Sequence, residues 1–422
     1  MQRLRRALRK DAPIALAPPD TYPDEDIAAM LRSLGMAMLE VGQPTNLVKL
    51  RLTAVAARYT SKEVRLAVLP TVLMVQIDRS GSMELQESVR ATVRLDQAGG
   101  IDDILDLAAR GAIAPADAMA AVSEARELAP RFGALLTIFG YAVTTIGFGM
   151  VINPTWAALP ADALLGAVVG AVLVVGRRIA ALAPIQPTMS ALLVTILASW
   201  FVADAADEGL VRVIAPALIA VLPGMALTIG ATELASGEMI AGASRLVYGV
   251  AQLMLLAFGV VLAVRITGPV APQEPAETMG EWALYVAVLM MAVGFYFFLS
   301  APRGSLVWLI LALGVALIGQ HFATQFTDPL VAGAIGAFAV VPFAMFAAGF
   351  KQAPPGIVMI LAAFWGLVPG ALSFIRLSEA ATGGPATFTA LQNTGAAIFA
   401  IALGTLIGWS VFRAYVALRN RA

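Results

Sequence analysis

From Arg131 onward the sequence is a succession of apolar windows, each about 16–22 residues long and separated by short polar or proline-containing stretches. A hydrocarbon core of roughly 30 Å is crossed by about 20 helical residues, and inside it every backbone N–H and C=O must be bonded within the protein. A chain with many such windows folds as a bundle of spanning helices. The composition agrees: 59% of its 422 residues are hydrophobic, 13% are charged, and the mean hydropathy is +0.82. The charges concentrate before Arg131 and at the C-terminus, so a soluble domain precedes the membrane part. The absence of cysteine excludes a disulfide framework and thiol chemistry. The formal net charge of zero points to no class of partner.

The reading is a polytopic α-helical membrane protein, ten spans as two inverted five-helix repeats, with a small α+β cytoplasmic N-terminal domain. Residues 1–24 read as a cytoplasmic tail. Met1–Arg9 is basic, but Asp11, Pro13 and Pro18–Asp20 interrupt any apolar core of a signal peptide. Residues 25–130 form the domain. Acidic Asp24-Glu25-Asp26 suits a helix N-terminus, and Ile27, Met30, Leu31, Leu34, Met38 and Leu39 make an apolar stripe. After the Gly42–Thr45 turn a second helix is expected to Tyr59. Val64–Ile77 reads as strand interrupted near Pro70, Arg79–Ser82 as a turn, and Glu87–Leu95 as a partner strand. Two helices, Ile101–Arg110 and Pro115–Leu128, complete it. Asp78, Ser80 and Ser82 read as a polar turn rather than a catalytic group, and Asp102, Asp103 and Asp106 as a solvated helix face rather than a metal cluster.

The ten expected spans are Phe132–Ile152, Ala161–Val175, Met189–Val202, Leu210–Leu234, Leu246–Val264, Trp282–Leu299, Leu306–Phe322, Leu330–Phe350, Gly356–Leu377 and Thr387–Ala417. Arg131, Arg177-Arg178, Arg245, Arg303, Lys351 and the C-terminal Arg413, Arg419 and Arg421 fall on one side, which the positive-inside rule makes cytoplasmic. Arg376, on the outer side after the ninth span, is discordant. Both termini are then cytoplasmic, in a bacterial cytoplasmic membrane.

The fourth and ninth spans are each broken by Pro-Gly, at Pro223-Gly224 and Pro369-Gly370, 146 positions apart. Ten residues beyond each proline stands a glutamate, Glu233 or Glu379, followed by Ala235-Ser236-Gly237 or Ala381-Thr382-Gly383. Pro160 and Pro302, and Pro187 and Pro329, are matched pairs 142 apart. Residues 131–266 and 267–422 therefore read as two repeats of five spans, an odd number that inverts the second across the bilayer. Inverted repeats with paired broken helices are a secondary-transporter design.

A proline in a spanning helix removes one donor and obstructs an earlier carbonyl. The freed backbone groups either serve packing at a kink or line a wet cavity that binds a zwitterion. In the second case the substrate residues are Pro223, Gly224, Thr228, Pro369, Gly370 and Ser373. Glu233 and Glu379 are candidate gates or proton-coupling groups, or else hydrated interfacial residues, and Arg376 is placed to pair with Glu379. His321 reads as interfacial rather than as a proton relay. Gln252, Gln392 and Asn393 suit interhelical bonding at least as well as substrate. No nucleotide-binding glycine loop, metal-ligand spacing or basic–aromatic patch is present, so cofactors, ATP and nucleic acid are not expected. A homo-oligomer stays open.

Leu34-Gly35, Glu40–Thr45, Ala109–Ile113, Leu222–Gly224 with Glu233, Gly237, Gly242 and Arg245, and Val368–Gly370 resemble the bacterial threonine/serine exporter family. The resemblance covers about residues 27–417. It implies a cytoplasmic domain joined to ten spans and export of small hydroxy amino acids driven by the proton motive force. Split relatives associated with dicarboxylate export make a C4-dicarboxylate exporter the alternative, ahead of a membrane-anchored enzyme.

Overall fold

The computed structural model describes residues 17–78, 84–87, 94–177, 179–202, 209–270, 276–367, 369–382 and 388–419. The chain divides into two compact units. The first contains residues up to Pro130 together with Ile229–Arg245 and Met345–Val358; the second contains Arg131–Thr228, Leu246–Ala344 and Met359–Ala422.

In the first unit, α1 (Asp24–Glu40) and α2 (Thr45–Tyr59) lead into β1 (Val64–Val68), β2 (Val72–Ile77) and β3 (Glu84–Glu87), followed by α3 (Leu95–Ala109) and α4 (Pro115–Glu127). The six residues of the expected α1 stripe are all buried. They pack with Val48, Leu52 and Val55 of α2, Ile101 and Leu105 of α3, Val122 of α4 and the inner face of β2. Alternation along β2 buries Leu73, Val75 and Ile77, as a strand with one covered face requires. The sheet order is β1-β2-β3, antiparallel throughout, with Val64 opposite Ile77 and Val72 opposite Glu87. Gly42 (φ 77°) and Gly111 (φ 68°) end α1 and α3 in the left-handed conformation that a Cβ disfavours.

The partner-strand expectation needs correction. Among the described residues the strand occupies Glu84–Glu87 and Leu95 is already helical; residues 88–93 of the expected strand lie outside the described residues. Gln97 closes a capping box with Arg94, which starts α3 earlier than the apolar periodicity suggested and carries it through Gly99-Gly100. Ser80 and Ser82 lie outside the described residues. Asp102 pairs with Arg51, and Asp106 lies 3.5 Å from the same guanidinium. No cluster of metal ligands occurs among the described residues. Asp20 accepts hydrogen bonds from the Ser61 hydroxyl, the Ser61 N–H and the Thr60 hydroxyl, which hold its carboxyl below the usual range.

The second unit is helical. It begins with α5 (Ala134–Ile152), α6 (Ala158–Gly176) and α7 (Gln186–Phe201). Three short pieces follow: α8 (Leu210–Ile214), a 3-10 turn (Pro216–Val221) and α9 (Gly224–Ala235). Then come α10 (Met239–Thr267), α11 (Trp282–Phe298), α12 (Leu306–Thr324), α13 (Pro329–Ala347), α14 (Gly356–Leu367), α15 (Pro369–Ala381) and α16 (Phe388–Arg419). Parts of α9, α10, α13 and α14 belong to the first unit. Among the described residues, seven stretches are long and apolar enough to cross a membrane: α5, α6, α10, α12, α13, the α14–α15 stretch and Gly395–Leu418 within α16. The helices α7 and α11 are shorter but apolar.

The helix α5 is the axis of this unit, packed against both α6 and α11. Lipid offers apolar side chains no hydrophobic reward for leaving it, so spanning helices associate by close backbone approach at small residues. Gly140 and Gly147 on α5 and Gly294 on α11 provide that approach: a Cβ on Gly140 would lie 2.6 Å from the Phe297 Cβ. Tyr141 against Phe298 and Phe148 against Phe295 fill the seam with rings.

Candidate functional site

The fourth apolar segment breaks because its sequence cannot stay helical. Pro216 and Pro223 each lack an N–H, and the residue before a proline is pushed toward extended backbone. Leu222 obeys, with φ −71° and ψ 137°. Helix resumes at Gly224, its first bond running from the Leu227 N–H to the Pro223 carbonyl at 3.0 Å. The N–H groups of Gly224, Met225 and Ala226 thus have no acceptor within their own helix. In the ninth segment α14 ends at Leu367 and α15 begins at Pro369; Val368 lies outside the described residues.

The first break meets the second Pro-Gly pair. A Cβ placed on Gly370 would lie 2.8 Å from the Cα and 2.9 Å from the N of Gly224, and one placed on Gly224 would lie 3.3 Å from the Gly370 N. The N-terminus of α9 and the Pro369-Gly370 segment of the other half of the sequence therefore touch backbone to backbone. The α9 N-terminus carries partial positive charge and N–H groups without an acceptor in their own helix, the arrangement that receives a carboxylate. Thr228 and Ser373 lie one helical turn inward from these glycines, and both are buried.

Part of the freed backbone is already used. The Tyr141 hydroxyl donates to the Ala217 carbonyl at 2.7 Å and accepts from the Ala220 N–H at 3.2 Å, entering the ladder of the 3-10 turn. This side chain is fully buried, and its role was not legible from its place in an apolar run.

Glu233 belongs to the first unit and is fully buried, which corrects the hydrated interfacial alternative. One carboxylate oxygen accepts the Thr45 N–H at 2.8 Å; the other accepts the Arg245 Nε–H at 3.0 Å. Thr45 is the first residue of α2, so the carboxylate caps that helix from a distant part of the chain and meets its positive end. The Gly42–Thr45 turn serves to present this N–H. Gln43 Oε1, Thr45 Oγ1 and Arg245 Nη2 are also buried there, without hydrogen-bond partners among the described residues.

Arg376 and Glu379 pair at 3.2 Å, three residues apart on α15, with both side chains partly exposed. Gln392 and Asn393 are exposed on α16. Gln252 and His321 are half-buried.

Residues 29–267 match the sequence profile of the family described as "ThrE: Putative threonine/serine exporter". The chain belongs to the ThrE family. The matched region holds the N-terminal domain and the first break; the second break lies beyond it. The chain is also 29% identical over 163 residues to "Pheromone-regulated membrane protein 10" of Kluyveromyces lactis, a match covering 33% of this chain and 17% of that protein. The chain thus spans about a sixth of that curated relative. No solved structure matches it. Membership makes this an exporter-family membrane protein, in keeping with its apolar helices.

Proposed function

We propose that this protein is a secondary active exporter of threonine and serine, driven by the proton motive force, with its substrate bound where the two Pro-Gly breaks cross. The contact of Gly224 with Gly370 carries the reading. These glycines are equivalent positions of the two sequence repeats. In a molecule with a two-fold axis in the membrane plane, equivalent residues touch only where the axis passes. Their contact therefore supports two halves related by such an axis, with a central site on it. The N–H groups of Gly224, Met225 and Ala226 would receive the substrate carboxylate, and Thr228 and Ser373 its hydroxyl. Pro223 and Pro369 keep both helices from closing through. Glu233, Arg376 and Glu379 lie farther along the same two helices and act as gates.

The test is efflux of labelled threonine, serine and succinate from vesicles reconstituted with the purified protein, with and without a proton gradient. Gradient-dependent efflux of threonine and serine is expected. Efflux of succinate alone would replace the substrate by a dicarboxylate, and no gradient-dependent flux of any of the three would end the transport reading.

A further inference from the structure

Span α6 carries a carboxyl group that nothing so far has used. Asp162 lies in the first turns of this apolar helix and is 1% exposed, and neither of its carboxylate oxygens has a hydrogen-bond partner among the described residues. Its carboxylate packs directly against Gly149 of α5, where a Cβ would fall on the Oδ2 atom. The glycine keeps room for the carboxyl at this helix contact.

Two other orphaned polar groups lie in the short connection between α5 and α6. Asn153, 3% exposed, has an unpartnered Nδ2, and Thr155, 2% exposed, an unpartnered Oγ1. Asn153 follows Gly149 by one helical turn, on the same face of the chain. The titratable or charged groups on the elements packed against α6 are Tyr141 on α5 and Arg212 on α8; α7 and the 3-10 turn carry none. The Tyr141 hydroxyl is committed to Ala217 and Ala220, and Arg212 makes no hydrogen bond to Asp162. Glu277 lies on the strand-like segment beside Thr155 and is exposed.

An ionised carboxylate removed from water and given no cation and no donor is too costly to keep. A proton is the smallest ligand that satisfies it, and an ionisable side chain inside a spanning helix marks an ion or proton path by default. We propose that Asp162 is a proton-binding site, a buried carboxyl that takes up and releases one proton in each transport cycle. A hydronium ion delivers the proton, an O–H bond forms at one Asp162 oxygen and the carboxylate charge is neutralised. Transfer of that proton to water on the other side restores the charge. The coupling role rests on the export reading above; proton binding itself does not.

Two measurements separate them. In lipid nanodiscs, infrared difference spectra between acid and alkaline pH are expected to contain a carboxylic-acid carbonyl band. Other acidic side chains contribute to this band as well; Asp162→Asn removes one component of it and Asp162→Glu retains that component at a shifted frequency. In vesicles, Asp162→Asn is expected to reduce gradient-driven net efflux to the level of protein-free vesicles. Exchange of labelled for unlabelled threonine, which moves no net proton, continues and loses its pH dependence. An unchanged band in Asp162→Asn overturns the proposal whatever the transport results. A component that vanishes in a protein that moves no threonine leaves the proton site standing and ends the export reading. Should Asp162→Asn fail to insert, Gly149→Ala provides the test: its methyl presses on the carboxylate and is expected to move the midpoint of the band's titration. An unmoved midpoint overturns the proposal.

Discussion

The crossing of the two breaks predicts an asymmetry between two neighbouring glycines. Carbon atoms at rest lie about 3.5–4.0 Å apart. The methyl of Gly370→Ala would sit 2.8 Å from the Gly224 Cα. The two helices would thus have to part by about 1 Å to restore that contact distance. The obstacle is backbone, which cannot rotate aside as a long side chain can, so overpacking costs about 1–3 kcal/mol. The methyl of Gly224→Ala meets its nearest atom at 3.3 Å, and a few tenths of an ångström relieve it. Where backbone N–H groups hold the substrate, a displacement of about 1 Å can reduce rate on the order of 100-fold. Initial rates of threonine efflux in vesicles, normalised to inserted protein, should therefore fall on the order of 100-fold for Gly370→Ala and only a few-fold for Gly224→Ala. Equal rates for wild type and Gly370→Ala, or a larger loss in Gly224→Ala, would refute the reasoning.

Other perturbations follow from the same contacts. Glu233→Ala strands the Arg245 guanidinium and uncaps α2, and should lower stability by about 3–5 kcal/mol in thermal unfolding of the purified protein. Glu233→Gln, which still accepts the Thr45 N–H, should lose less, and adding Arg245→Met to Glu233→Ala should recover part of the loss. Tyr141→Phe leaves the Ala217 carbonyl and Ala220 N–H unbonded at a cost of about 1–3 kcal/mol. Hydrogen exchange at Ala220 should then accelerate, and unchanged exchange would show that the hydroxyl is dispensable. Asp20 has its folded pKa depressed by Ser61 and Thr60. Its contribution is thus present above the unfolded value near pH 3.9 and is lost as pH falls through the lower folded value. Protection of the Ser61 amide should decline on acidification through that window and show no such decline in Asp20→Asn.

How far the sequence could be read depended on what each element rests on. Helix α2 was expected to follow the Gly42–Thr45 turn and reach Tyr59, and it runs from Thr45 to Tyr59, because a turn with glycine and proline fixes its start to within a residue. The Pro223-Gly224 break was visible because proline removes a donor in any context. The partner strand was misplaced, because a short edge strand of Glu84–Glu87 has no apolar alternation to announce it. Site residues set by tertiary contact were the least legible. Tyr141 and Asp162 lie in apolar helices like many others, and only packing shows one bonded to the 3-10 turn and the other without a partner. Glu233 was visible as a repeated position, but its bond to Thr45 spans 188 residues and has no local signal.

The chain contains no cysteine, so one introduced at Ser373 is a unique chemical reporter of the crossing. The most direct test of the central claim is the rate at which Ser373→Cys reacts with a small maleimide in membranes, measured with and without substrate and compared with Gln392→Cys on the exposed face of α16. Threonine and serine should slow labelling at residue 373 in a saturable manner and leave residue 392 unaffected. Labelling at residue 373 that ignores both amino acids, in a protein that still transports them, would place the substrate elsewhere and contradict the account.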